Sequence, residues 1–84
     1  MNQPTKETIT QKINMVLDGS MTREAMCIWA AEYIRNDERI CINDLEAWHY
    51  LVAISNIDEM LEPNEYLFHE NDIRAIVAKY IQVS

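Results

Sequence analysis

The stretch Asn43–Ile57, NDLEAWHYLVAISNI, decides the fold that this sequence predicts. On a helix that turns about 100° per residue, one half of the circumference collects most of its apolar side chains. These are Leu45, Ala47, Trp48, Leu51, Val52 and Ile54. A helix that is apolar over half its surface needs neighbours on more than one flank, so we predict a central helix. Asn43 is its expected N-cap, in a capping box with Glu46.

Three further helices are predicted around the central one. Thr5 and Thr22 are the expected N-caps of the first two, and Gly19 can end the first helix in the left-handed conformation. His69 is the expected cap of the last helix, and the apolar residues of each helix recur at helical spacing. The segment Asp58–Phe68 contains Pro63 and shows no helical period, which indicates a loop. Its expected anchors are Met60, Leu61, Tyr66, Leu67 and Phe68.

The predicted fold is therefore all-α, a compact and mostly antiparallel four-helix bundle in which residues 1–84 form one domain. The predicted helices lie near residues 6–18, 22–36, 44–57 and 70–82. One Gly and two Pro among 84 residues favour such long regular elements. The linker Asn36–Ile42 is expected to tuck Ile40 and Ile42 under the bundle.

Composition also indicates where the protein works. Two cysteines do not make a disulfide framework, and the first residues lack the basic and apolar regions of a signal peptide. No stretch approaches the ~18 apolar residues that a membrane span needs. We expect a cytoplasmic protein that does not bind membranes.

No catalytic, metal or cofactor site is predicted. The soft metal ligands Cys27, Cys41, His49 and His69 are scattered singly, whereas structural zinc sites bring ligands in close pairs. The acidic segment after Ile57 lacks the glycine and the alternating ligands of a calcium loop. Because no nucleophile stands with a base or an oxyanion donor, we expect that the protein is not an enzyme.

The acidic residues are concentrated in one part of the chain. The net charge is −7, and residues 1–36 carry four acids against four bases. Residues 37–72 carry ten acids and one base, and the last twelve residues add only Arg74 and Lys79. Nucleic acid is a poor partner for such an acidic surface, and we expect a basic protein partner instead.

Three stretches carry a resemblance to a known class of protein. They are GSMTREAMCIWAAEYI (19–34), NDLEAWHYLVAISNIDE (43–59) and EYLFHENDIRAIVAKYI (65–81), with Trp29-Ala30, Trp48 with Leu51, and Tyr66-Leu67 before Asp72-Ile73 as markers. In length, charge and helix order the chain resembles small acidic helical bacterial proteins of the toxin-immunity type, including the colicin D immunity protein. This resemblance implies an acidic inhibitor that covers the basic active site of a toxin, often a nuclease.

Two functional hypotheses follow. The first is a module that binds and neutralises a basic protein, plausibly a nuclease toxin, because charge of one sign speeds encounter with the opposite charge. Its candidate partner-binding residues are Asp37, Glu38, Asp44, Glu46, Asp58, Glu59, Glu62, Glu65, Tyr66, Phe68, Glu70 and Asp72. The alternative is a small homodimeric structural or regulatory protein without enzymatic activity. It rests on Ile28, Met60, Leu61 and Phe68, which a small bundle does not bury completely.

Overall fold

The fold is mostly helical and includes one small β-hairpin. The computed structural model describes residues 2–81. In chain order its elements are α1 (Lys6–Asp18), α2 (Arg23–Arg35), a short 3₁₀-helix (Asp37–Arg39), α3 (Leu45–Ile54), β1 (Met60–Glu62), β2 (Glu65–Tyr66) and α4 (Glu70–Tyr80). The four predicted helices are thus confirmed within these residues. Residue 82, the predicted end of the last helix, lies outside them.

Side-chain caps start the first two helices, as predicted. The Thr5 hydroxyl accepts a hydrogen bond from the Thr8 N–H at 3.1 Å. The Thr22 hydroxyl accepts one from the Ala25 N–H at 3.0 Å. Gly19 ends α1 with a φ of 88°, in the left-handed region that residues with a Cβ rarely occupy. The positions of these two helices therefore follow from short local signals.

The predicted cap of the central helix is wrong by one residue. Asp44, not Asn43, caps α3, and its carboxylate accepts from the Ala47 N–H at 3.1 Å. The chain just before α3 is also held by a residue that is far away in the sequence. The Gln3 side-chain oxygen accepts from the backbone N–H groups of Asn43 and Asp44 at 2.8 and 3.0 Å. The Gln3 amide in turn donates to the Asp44 carbonyl at 3.0 Å, so Gln3 fixes the chain that enters α3.

Substitution of Asp44 and of Asn43 tests which of the two residues caps α3. Asp44→Ala should lower the free energy of unfolding by about 0.5–2 kcal/mol, because a first-turn N–H of α3 loses its acceptor. Asn43→Ala is the matched control and should change stability by less than about 0.5 kcal/mol. Urea denaturation followed by circular dichroism measures both values. A larger loss for Asn43→Ala than for Asp44→Ala would restore Asn43 as the cap.

Helix α3 is the centre of the fold, because it packs against α1, α2 and α4. Its buried side chains are Ala47, Tyr50, Leu51 and Ile54, which recur at one helical stripe. The core of the described residues also contains Ile9, Ile13, Met26, Cys27, Ala30, Ile40, Ile57 and Ile73. The buried arc of α3 is narrower than predicted, since Leu45 and Val52 remain 65% and 41% exposed. Trp48 is half-buried, and Tyr50, which the prediction left out, lies fully inside.

The segment predicted as a loop forms the hairpin β1–β2. Met60 pairs with Tyr66 and Glu62 with Glu65 in antiparallel register, which leaves Pro63 and Asn64 as a two-residue turn. Asn64 has a φ of 74°, a conformation that asparagine tolerates better than most residues. The predicted anchors Met60, Leu61 and Leu67 are exposed, whereas Tyr66 and Phe68 are half-buried. The linker prediction holds better, since Ile40 is buried and Ile42 half-buried.

Candidate functional site

Several predicted partner-binding acids have structural contacts within the fold. Asp44 caps α3, and the Glu46 carboxylate lies 2.7 Å from the Lys6 ammonium. Glu70 pairs with Arg74 at 2.8 Å along one face of α4. The Asp72 carboxylate accepts from the His69 N–H at 2.9 Å at the start of that helix. Each of these four acids therefore has a contact that stabilises a helix or joins two elements of the fold.

The other predicted acids lie at two ends of the molecule. Asp37 and Glu38 are exposed on the 3₁₀-helix. Glu59, Glu62 and Glu65 are exposed on and beside the hairpin, whereas Asp58 is half-buried beside Cys27. The structure therefore does not gather the ten acids on one surface. Whether any of them contacts a partner stays a prediction.

The two predicted aromatic anchors are engaged within the protein. The Tyr66 hydroxyl donates to the Glu24 carboxylate at 3.0 Å, and this hydrogen bond raises the pKa of Tyr66 above its ordinary value. The Arg23 guanidinium lies over the Tyr66 ring, with 4.1 Å between its central carbon and the ring centroid. Phe68 packs against the core. Neither ring stands free as an interface anchor.

A different surface of the molecule carries little negative charge. The segment Thr8–Leu17 of α1 contains Lys12 and no acid, and the segment Ile73–Ile81 contains Arg74 and Lys79 and no acid. Helices α1 and α4 contact each other, so the fold places these two segments side by side. The charged side chains of these two segments are thus Lys12, Arg74 and Lys79.

Tyr50 helps to hold the two segments together from inside. Its hydroxyl and that of Thr10 on α1 form a hydrogen bond of 2.8 Å. Its ring stacks on Tyr80 of α4 with centroids 5.2 Å apart. Burial raises the pKa of Tyr50, and the hydrogen bond with Thr10 opposes part of that rise. The phenol therefore stays protonated at neutral pH and keeps its place between α1 and α4.

A shallow groove runs between α1 and the end of α4. Its volume is about 320 Å³, and its lining consists of Glu7, Thr10, Gln11, Asn14 and Ile81. Gln11 and Asn14 are exposed, and each side-chain amide offers both donors and an acceptor. We call the exposed surface of these two helices the α1–α4 face. It includes Thr10, Gln11 and Asn14 at the groove and, on other sides of the two helices, Lys12 and Lys79.

The two lysines of the α1–α4 face rest on aromatic rings. The Lys12 ammonium lies 5.5 Å from the centroid of a Trp29 ring, and the Lys79 ammonium lies 5.4 Å from that of Tyr80. No carboxylate within residues 2–81 forms an ion pair with either lysine. Both charges are therefore available to an anionic ligand.

A further cavity of about 310 Å³ lies where the N-terminal residues meet the start of α3. Its lining consists of Asn2, Gln3, Pro4, Thr5, Cys41, Asn43, Asp44 and Ala47. Gln3, Thr5 and Asp44 already use their side chains in the hydrogen bonds that fix α1 and α3. This cavity therefore belongs to the framework of the fold.

The residues predicted from the sequence did not include Gln11 and Asn14. Single exposed amides on a helix carry no motif that would mark them in a sequence. The signal that could have found them is the absence of acids from Thr8 to Leu17 and again after Asp72. That signal acquires meaning once the two segments are known to be neighbours.

The described part of the chain contains neither a cluster of metal ligands nor a helix that could cross a membrane. Across residues 2–81, no three His, Cys, Asp or Glu side chains come together as metal ligands would. In the same residues, no helix has both the length and the apolar character that a membrane crossing requires.

Comparison with known proteins gives two matches. Residues 2–80 match a family model described as YxzC DNA-binding protein. The chain is also 31% identical over 71 residues to the protein named "Uncharacterized protein YxzC" of Bacillus subtilis (strain 168). That match covers 84% of this chain and 57% of the relative, so the chain spans little more than half of the relative's length. No solved structure matches the chain.

These matches overturn several predictions made from the sequence. The resemblance to toxin-immunity proteins such as the colicin D immunity protein is wrong, since the chain matches a different family. The predicted role of a toxin inhibitor that neutralises a basic protein partner is wrong for the same reason. The exclusion of nucleic acid also conflicts with the description of the family. That exclusion rested on the excess of acids in residues 37–72, and an excess along the chain does not say how charge is distributed over the folded surface.

Proposed function

Because the chain belongs to the YxzC DNA-binding protein family, we propose that it binds double-stranded DNA through the α1–α4 face. The observation that carries the proposal is the family match over residues 2–80. We propose further that the protein has no enzymatic activity and regulates or organises DNA in the cytoplasm.

Electrostatics favours this face over the others. Phosphates repel carboxylates, and each lysine that neutralises a phosphate releases counterions and strengthens binding. The hairpin exposes Glu59, Glu62 and Glu65, so its approach to DNA is opposed. The α1–α4 face instead offers Lys12 and Lys79, and its acids on α1 are Glu7, which lines the groove, and Asp18 at the end of the helix. A contact limited to this face is compatible with a net charge of −7.

The exposed side of α1 beside the groove carries two amides suited to base edges. Asparagine and glutamine amides can donate to and accept from adenine in the major groove, and the two lysines suit the phosphates on either side. Gln11 and Asn14 lie one helical turn apart on the exposed side of α1, so both amides face the same way. Helix α1 is thus the element that we expect to meet the DNA groove.

Salt dependence tests the proposal directly. Fluorescence anisotropy with a labelled DNA duplex should give a plot of log affinity against log salt with a slope of about −2, since each neutralised phosphate contributes about −0.9. The double substitution Lys12→Ala and Lys79→Ala should bring that slope close to zero. Gln11→Ala with Asn14→Ala should reduce discrimination between duplex sequences while leaving the slope unchanged.

The control variants lie on the hairpin. Glu59→Gln with Glu62→Gln removes two exposed carboxylates far from the proposed contact and should leave DNA affinity unchanged or slightly raised. If the wild-type protein binds no duplex, the proposed function fails. If it binds with a slope that is indifferent to both lysines, DNA binding stands and the α1–α4 face is wrong.

A further inference from the structure

One arginine holds both ends of the hairpin segment. The chain leaves the helical body after Ile57 and returns to it at Phe68. The Arg23 guanidinium nitrogen Nη1 donates to the Ile57 carbonyl at 3.0 Å and also to the Phe68 carbonyl. The same guanidinium covers the Tyr66 ring. Arg23 therefore holds together the two ends of the segment, which we call its neck. It also contacts strand β2 through Tyr66.

The segment has few other attachments to the helices. Every residue from Glu59 to Glu65 is exposed, so the hairpin buries little apolar surface. Two strands alone are marginally stable in water. Beyond Arg23, the described side-chain contacts of the segment with the rest of the protein are the bond between Tyr66 and Glu24, the approach of Asp58 to Cys27, and a 3.8 Å approach of Glu65 to His69.

We propose that Asp58–Leu67 is a strap that opens as one unit when Arg23 releases its neck, while the four helices stay folded. Proteins open locally in cooperative segments, and the segments with few buried contacts open at the lowest free energy. The strap meets that description, and a single side chain supplies its main attachment. This inference does not depend on DNA binding.

The structure contains a built-in reporter of this opening. Cys27 is 6% exposed, and its thiol lies 3.8 Å from the Ile54 carbonyl, directly beside Ile57 and Asp58. Burial raises the pKa of Cys27 to about 11, with the neighbouring charge of Asp58 acting in the same direction. The closed thiol is therefore unreactive. Opening at the neck exposes it, whereas the exposed Cys41 reacts at all times and serves as an internal reference.

Alkylation of the two thiols measures the opening. With iodoacetamide at one pH and mass spectrometry as the readout, Arg23→Met should speed the reaction of Cys27 by about 10- to 100-fold, because a hydrogen bond to a charged donor contributes a factor of that size. The reaction of Cys41 should stay unchanged. Arg74→Met is the matched control, since it removes an exposed arginine paired along α4, and it should leave both rates as in the wild type.

A second variant and a series of urea concentrations distinguish local opening of the strap from global unfolding. Tyr66→Phe keeps the ring under Arg23 and removes the hydroxyl bond to Glu24, so Cys27 should react faster by a smaller factor than in Arg23→Met. Low urea should hardly change the Cys27 rate, because local opening exposes little surface. A Cys27 rate that is equal in Arg23→Met and wild type, or that rises with urea as steeply as global unfolding, overturns the proposal.

Discussion

Tyr50→Ala should lower the free energy of unfolding by about 3–5 kcal/mol, the range for removal of a large buried aromatic side chain. Tyr50 is 0% exposed, lies on the central helix α3 and stacks on Tyr80. Its removal leaves a cavity where α1, α3 and α4 meet, and it deprives the Thr10 hydroxyl of its partner. Urea denaturation followed by circular dichroism measures the loss.

Tyr50→Phe is the control for this substitution. It keeps the ring and its stacking and removes only the hydroxyl, so it should lower stability by about 0.5–1.5 kcal/mol. If Tyr50→Ala costs no more than Tyr50→Phe, the ring contributes nothing and the assignment of Tyr50 to the core is incorrect.

Ile73→Ala should lower the free energy of unfolding by about 2–5 kcal/mol. Ile73 is the residue of Glu70–Tyr80 that lies fully buried, so it anchors α4 to the core. Its loss should loosen α4 first, and with it the position of Lys79 on that helix. Thermal unfolding measures the stability, and anisotropy below the unfolding temperature measures the affinity for DNA.

Ile73→Val preserves most of the packing and should cost about 0.5–1.5 kcal/mol. The affinity for a DNA duplex should fall in Ile73→Ala and remain near the wild-type value in Ile73→Val. An affinity that stays constant while amide exchange shows α4 to be loosened would remove α4 from the DNA contact.

Much of the fold was predictable because its signals are local. The N-caps Thr5 and Thr22 and the left-handed Gly19 act within a few residues of the helix ends that they define. The predicted cap of α3 is one residue too early because Asn43 and Asp44 are both good capping residues, and the sequence alone does not decide between them.

The hairpin and the exposed part of α3 show a second kind of limit. Strands of three and two residues are too short for the alternation that marks a strand, and Pro63 and Asn64 were visible only as loop residues. For α3, apolar character predicted which side chains can be buried. The neighbouring helices decide which of these side chains are in fact buried. Leu45 and Val52 lie on the part of α3 that no other helix covers, and they stay exposed.

The site was less predictable than the fold. The ten acids from Asp37 to Asp72 were evident in the sequence, but their separate uses as caps and ion pairs depend on neighbours in space. The α1–α4 face joins a segment near the start of the chain to one near its end. Its low negative charge results from the contact between these two segments, and the sequence alone does not show that contact.

The reach of Gln3 also bears on the order in which the protein is made. A ribosome delivers the N-terminal residues first, and domains begin to fold while synthesis continues. Gln3 must therefore wait until Asn43 and Asp44 have emerged before its side chain finds their N–H groups. Helices α1 and α2 can meet earlier, since a short turn joins them. The start of α3 should consequently be completed only after α1 and α2 have been synthesised, by a residue that precedes both helices in the chain.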